Sequence, residues 1–213
     1  MNIKTTPLGQ EFTQAELKQQ CRVIYGGVSF PGRREGFAVV IAMDKEKHRD
    51  SHDIYLLDES ESFDIRELVE KCDVLDQRYE PKIWMGEFYN DAAYPYICKL
   101  SAERHGKKVR RFNFYRTPLL DKDHLYPYIL AEIKGLLDPE KRQLFLKESK
   151  VANYLSGIEP GEVVDLRLGD FPAVEALAFA VIEMRKRERD YPDYDPQADM
   201  RLAESYAMPD YDP

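Results

Sequence analysis

The spacing of apolar positions divides the chain into an all-strand opening and a longer part in which strands alternate with helices. Val23-Ile24-Tyr25 runs into Gly26-Gly27 and then Val28-Ser29-Phe30, which predicts a first strand over 21–30. A Pro-Gly-Arg-Arg-Glu-Gly loop follows, and Phe37 to Met43 predicts a second strand within 36–44. After the charged turn from Lys45 to Ser51, Asp53-Ile54-Tyr55-Leu56-Leu57-Asp58 predicts a third. Three strands in series with short connections predict an antiparallel meander.

From Phe63 the period changes. Ile65, Leu68, Val69, Cys72 and Leu75 recur at helical spacing, and Asp64 stands where an acid favours the helix dipole. Lys82 to Glu87 predicts a short fourth strand, Asn90 to Arg104 a second helix, and Val109 to Tyr115 a fifth strand. The order is βββ-α-β-α-β, and the strands beyond the meander are expected to be parallel crossovers. The ribonuclease H-like fold is the first of the few folds built this way, an α/β mixed sheet flanked by helices. Further elements are expected as decoration: a helix over 123–137 broken by Pro127, a strand over 142–147, and a strong helix over 171–187 opened by Pro172. Thr13-Gln14-Ala15-Glu16 has the form of a capping box.

In a ribonuclease H-like nuclease, carboxylates from the first strand, the end of the fourth strand and the last helix converge on one sheet rim. They hold divalent ions that activate water and stabilise the leaving oxygen. Glu87 fits the second of these places, after Gly86. Here a resemblance becomes specific. Val-Ile-Tyr-Gly-Gly-Val (23–28), Ile-Tyr-Leu-Leu-Asp-Glu (54–59), Pro-Lys-Ile-Trp-Met-Gly-Glu-Phe-Tyr-Asn (81–90) and Val-Glu-Ala-Leu-Ala-Phe-Ala (174–180) resemble the nuclease domain of phage terminase large subunits. The resemblance spans roughly 21–187. It implies a ribonuclease H-like fold, Mg²⁺ or Mn²⁺, and cleavage of concatemeric double-stranded DNA during genome packaging, with phage packaging proteins as further partners. It also implies a phage- or prophage-encoded protein in the bacterial cytoplasm.

The departures from that pattern are specific too. Ser29 stands where the family usually has its first aspartate, and Phe171 and Pro172 occupy the places of its paired aspartates in the last helix. Glu175 matches the later aspartate, and Asp170 precedes the pair. The candidate catalytic and metal-ligating set is therefore Glu87, Asp170 and Glu175, with Asp44 or Asp58 as replacements for the missing strand-one acid. A hydroxyl is a poor ligand for a hard divalent ion, so the pair of ions is expected to bind weakly or singly. The alternative is a non-catalytic module derived from a terminase nuclease, kept for binding DNA or a partner. No GxxxxGK[ST] motif occurs, so the ATPase motor of a packaging enzyme is not among these residues.

Charge narrows the binding surface. The chain carries a net −8, which argues against nonspecific DNA binding by the whole surface. Residues 191–213 hold six acids and one arginine, so −5 of that total lies in a tail containing PDYDP twice. The expected organisation is an N-terminal extension over 1–20, a nuclease-type domain over 21–190 and an acidic, solvated tail over 191–213. The basic clusters Arg33-Arg34 and Lys107-Lys108, the latter followed by Arg110-Arg111, are the candidate phosphate contacts. Cys21, Cys72 and Cys98 show no CxxC spacing and read as reduced thiols, with Cys72 and Cys98 packed on helix faces. The four histidines lack metal spacing, and no run is long and apolar enough to predict a membrane span.

Overall fold

The computed structural model describes residues 19–44, 53–86, 92–104, 114–116, 144–145, 149–156 and 171–188. Strands β1 (Cys21–Ser29), β2 (Gly36–Asp44) and β3 (Ile54–Ser62) form the expected antiparallel meander. Helix α1 (Ile65–Tyr79) leads to β4 (Trp84–Gly86), which lies parallel to β1 on its free side. Helix α2 (Tyr94–Arg104) leads to β5 (Phe114–Arg116), parallel to β4. A short β6 (Leu144–Phe145) pairs in parallel with β3, and helices α3 (Lys150–Ser156) and α4 (Pro172–Glu188) follow. The sheet order is β5-β4-β1-β2-β3-β6. The meander with two parallel crossovers on the β1 side is a ribonuclease H-like core.

The sheet is covered on both faces, which is why β2 is apolar at nearly every position. Phe37, Val39, Ile41 and Met43 join Tyr25, Leu177, Val181 and Met184 beneath α4. Ala38, Val40 and Ala42 point the other way, into a second core with Leu68, Val69, Cys72 and Trp84. The alternation follows from the period of two along a strand.

The neighbouring glycines of β1 serve one core each. A Cβ on Gly26 would stand 2.4 Å from the Trp84 indole, on the α1 face. A Cβ on Gly27 would stand 2.0 Å from the carbonyl oxygen of Ala176 and 2.8 Å from the amide nitrogen of Ala180, both in α4. The strand is thus flanked closely on both sides, and only hydrogen fits at either position.

Several boundaries differ from expectation for identifiable reasons. Strand β3 continues past Asp58 to Ser62 although its end is polar. Glu59 accepts the backbone N–H groups of Lys150 (2.6 Å) and Val151 (3.1 Å), and the Lys150 ammonium pairs with Glu61. Those partners come from α3, which the apolar spacing did not reveal. Its N-terminus is also capped by Ser149, whose Oγ accepts the Ala152 N–H at 3.0 Å. Helix α1 starts at Ile65 rather than Phe63: Asp64 is its N-cap, accepting the Glu67 N–H at 2.8 Å, and Phe63 is left 78% exposed. It ends at Glu80 in the left-handed region (φ 51°), just before Pro81. Cys72 is buried as expected, but Cys98 is exposed, because it falls off the Ala93–Ile97 stripe by which α2 packs. The capping box at 13–16, the helix over 123–137 and the tail lie outside the described residues, as does most of the strand expected over 109–115.

Candidate functional site at the rim of strands β1 and β4

Strand β1 ends at Ser29, and parallel β4 ends at the same rim, with Gly86 beside Val28. Helix α4 begins over this rim with Pro172, and Glu175 lies in its first turn, where an acid complements the helix dipole. The Ser29 hydroxyl donates to Glu175 Oε2 at 2.5 Å. Both groups are withdrawn from solvent, Ser29 at 2% and Glu175 at 1% exposure. A serine and a glutamate 146 residues apart in sequence therefore meet as one buried pair.

The close approach of α4 at Gly27 makes this meeting possible. Gly27 and Ser29 lie on the same face of β1, and Gly27 lets the helix backbone come close enough for its first turn to reach the strand end. The Phe171 carbonyl accepts the N–H groups of Val174 and Glu175, each at 3.0 Å, so the first turn is closed where Glu175 leaves it. Phe171 also stacks edge-on against Tyr154 of α3, and the Tyr154 hydroxyl donates to Glu35 in the β1–β2 loop at 3.2 Å.

The other proposed acids fare differently. Asp44 pairs with Cys21 across β1–β2, while Ser29 pairs with Phe37. Asp44 is therefore at the opposite end of the strand, roughly 25 Å away at strand rise, and cannot replace an acid at the Ser29 rim. Asp58 sits in β3 on the α1 face, accepting from the Tyr79 hydroxyl at 2.8 Å and pairing with Arg78 at 3.4 Å. The sheet separates it from Glu175, so it too is excluded as the substitute. Both errors have one origin: position near a strand end in sequence fixes neither which end of the sheet is meant nor which face. Glu87 directly follows Gly86 and Asp170 directly precedes Phe171, but both lie outside the described residues. So do Lys107, Lys108, Arg110, Arg111 and the four histidines. Arg33 and Arg34 are exposed in the loop that follows β1, at the Ser29 end of the sheet.

Two sets of buried charge escaped the sequence reading. Glu183 is buried on α4 two turns beyond Glu175. Asp76 of α1 is 1% exposed and accepts from the Trp84 indole N–H at 3.0 Å and from Arg104 of α2 at 2.6 Å. Arg104 also pairs with Asp73. Burial works against the Arg104 charge, and the hydrogen bonds to Asp76 and Asp73 more than offset it, so its pKa lies above the ordinary value. The signal for Asp76 was available: it stands four residues after Cys72, on the apolar stripe of α1.

Among the described residues, no group of three or more His, Cys, Asp or Glu side chains could hold a metal ion. Glu175 and Ser29 offer one carboxylate and one hydroxyl. Hard divalent ions take oxygen ligands and favour charged ones. One carboxylate and one hydroxyl do not by themselves make a site for such an ion.

No protein-family model matches the chain, and no curated protein matches its sequence. Among solved structures, the large terminase nuclease from thermophilic phage G20c is similar at 12% identity, over 77% of this chain and 85% of that one, with a TM-score of 0.49. The large terminase from a second thermophilic bacteriophage is similar at 9% identity in two crystal forms, with TM-scores of 0.49 and 0.47. The matches to the second terminase cover 83% and 85% of this chain but 45% of that protein, so the chain spans less than half its length. No described helix is long and apolar enough to cross a membrane.

Proposed function

We propose that the chain is a terminase-type nuclease domain acting on double-stranded DNA, with a reduced divalent-ion site built on Glu175 together with Glu87 and Asp170. The observation that carries this reading is the buried meeting of Ser29 and Glu175, which joins the end of the first strand to the first turn of the last helix. In sequence, Glu87 follows Gly86, the last residue of β4, and Asp170 stands two positions before Pro172, the first residue of α4. Mg²⁺ or Mn²⁺ held by these acids would supply positive charge at a phosphodiester and activation of water. Arg33 and Arg34, exposed at the same end, would neutralise phosphates and set the position of the duplex.

Plasmid nicking in Mn²⁺ and in Mg²⁺ tests the reading. The expected result is slow nicking in Mn²⁺ that both Glu175→Gln and Glu87→Ala abolish. Nicking that survives both substitutions would show that the chemistry lies elsewhere.

The serine at position 29 favours a second reading, a terminase-derived module that holds DNA or a packaging protein without cutting. Under that reading no nicking occurs, yet DNA is retained in a salt-dependent way. Replacing Arg33 and Arg34 by alanine should then lower the slope of log K against log salt by about 0.9 for each phosphate no longer neutralised.

The acidic residues 191–213 are proposed to be a solvated extension. Deleting them should leave the melting temperature of the dilute protein unchanged, as scanning calorimetry would show. A loss of several degrees would mean that the tail completes the core.

A further inference from the structure

We infer that Tyr154 is a positioning residue for DNA binding: its hydroxyl fastens the β1–β2 loop, residues 30–35, and so fixes Arg33 and Arg34 beside the Ser29–Glu175 rim. The inference rests on the proposed reading of this end of the sheet as a surface for double-stranded DNA. A loop that must order itself on its ligand loses affinity to that ordering, and one ordered beforehand does not. This loop is built as a fixed tip. Phe30 and Pro31 are buried, while Gly32, Arg33 and Arg34 are exposed. Pro31 lies so close to Gly36 that a Cβ on Gly36 would stand 2.5 Å from the proline Cδ, so the two feet of the loop touch. The Gly32 N–H donates to the Arg34 carbonyl at 3.2 Å and closes the tip.

Each foot is held by a different core. Phe30 packs against Phe114 of β5, with ring centroids 6.0 Å apart, in the core on the α1 face. Glu35 is held from the α4 face, by the Tyr154 hydroxyl at 3.2 Å. The Tyr154 ring is itself packed edge-on against Phe37 of β2, at 6.1 Å, and against Phe171 before α4, at 6.3 Å. A ring seated on two others leaves its hydroxyl little freedom. Lys150, one turn earlier on α3, lies near enough to feel the Glu35 charge. The loop's carboxylate is thus engaged by α3, while its two guanidiniums lie at the exposed tip. Guanidinium groups suit phosphate oxygens, and phosphate contacts fix where a duplex lies without reading its sequence. Tyr154 ties that contact to α3 and, through Phe171, to the start of α4. The bound backbone is therefore held at a set distance from the rim.

Fluorescence anisotropy of a labelled DNA duplex of mixed sequence, titrated with the full-length chain in EDTA so that no cutting intervenes, tests this. Every variant is measured well below its melting temperature. Tyr154→Phe removes one oxygen and keeps the ring between Phe37 and Phe171. It should weaken duplex binding about 2- to 10-fold, the worth of one hydrogen bond. The slope of log K against log salt should not change, because the same phosphates are still neutralised. Replacing Arg33 and Arg34 together by alanine should weaken binding and lower that slope. In this arginine-free background Tyr154→Phe should have no further effect, since the tip it places then carries no cation. Where the arginine variant binds weakly and Tyr154→Phe binds as the wild type does, the positioning role is overturned and the DNA surface stands. An equal loss from Tyr154→Phe in both backgrounds overturns that role too, because the tyrosine would then act through something other than this loop. Where the wild type binds no duplex, or the arginine variant binds as the wild type does, the DNA surface falls and this inference with it.

Discussion

Asp76→Ala is expected to destabilise the protein by about 3–5 kcal/mol, the usual loss when one partner of a buried ion pair is removed. Asp76 is the acceptor shared by three elements. It lies on α1, receives the indole N–H of Trp84 on β4, and receives a guanidinium N–H from Arg104 on α2. Without it the indole N–H loses this acceptor, and Arg104, 6% exposed, loses one of the two carboxylates it pairs with among the described residues. Asp76→Asn should cost less, since an acceptor of the same shape remains. A double replacement, Asp76→Leu with Arg104→Met, should recover most of the loss, because apolar groups of matching volume substitute well for buried ion pairs. Trp84 is the only tryptophan in the chain, so urea unfolding followed by its fluorescence reads the loss at the network itself. A midpoint for Asp76→Ala equal to that of the wild type would show that the pair contributes nothing net.

Gly27→Ala is expected to be nearly as damaging, at about 3 kcal/mol, the upper end for overpacking a filled core. The added methyl would meet the Ala176 carbonyl oxygen at 2.0 Å and the Ala180 nitrogen at 2.8 Å. Both are helix backbone, so no side-chain rotation relieves the clash and α4 must move away from the sheet. The matching change at Gly26 meets the buried Trp84 ring instead, a side chain rather than helix backbone, and should cost less. Displacement of α4 also pulls Glu175 away from Ser29. Denaturant midpoints for the two variants, measured side by side, check the order. Equal midpoints for Gly27→Ala and the wild type would mean that the helix has room to retreat at no cost.

These two residues show where the sequence was readable. Asp76 was visible in principle, as an acid on an apolar helical stripe, but its partners were not. Trp84 and Arg104 lie 8 and 28 residues away, and nothing in their local spacing announces a shared carboxylate. Gly26-Gly27 announced itself as a special pair, but the reason did not. Two adjacent residues of a strand face opposite sides, so the pair answers two separate contacts, and which helix approaches which face is a tertiary fact. Glu59 and Glu61 made the third strand look shorter than it is, because the helix N-terminus that receives Glu59 stands about 90 positions later.

The sequence by itself determined the order and type of the elements from β1 to α2, the antiparallel start, the parallel crossovers and the last helix. Those features depend on local periodicity and on the handedness and reach of short connections, which any stretch of chain carries within itself. It also singled out Ser29 and Glu175, through residue types at places the resemblance made comparable. The tertiary structure decided that these two touch, that Asp44 stands at the wrong end of the sheet, and that Asp58 lies on its wrong face. Register and facing are set by which strands pair and how closely the helices pack, and a shift of one residue along a strand moves a side chain to the other side of the sheet.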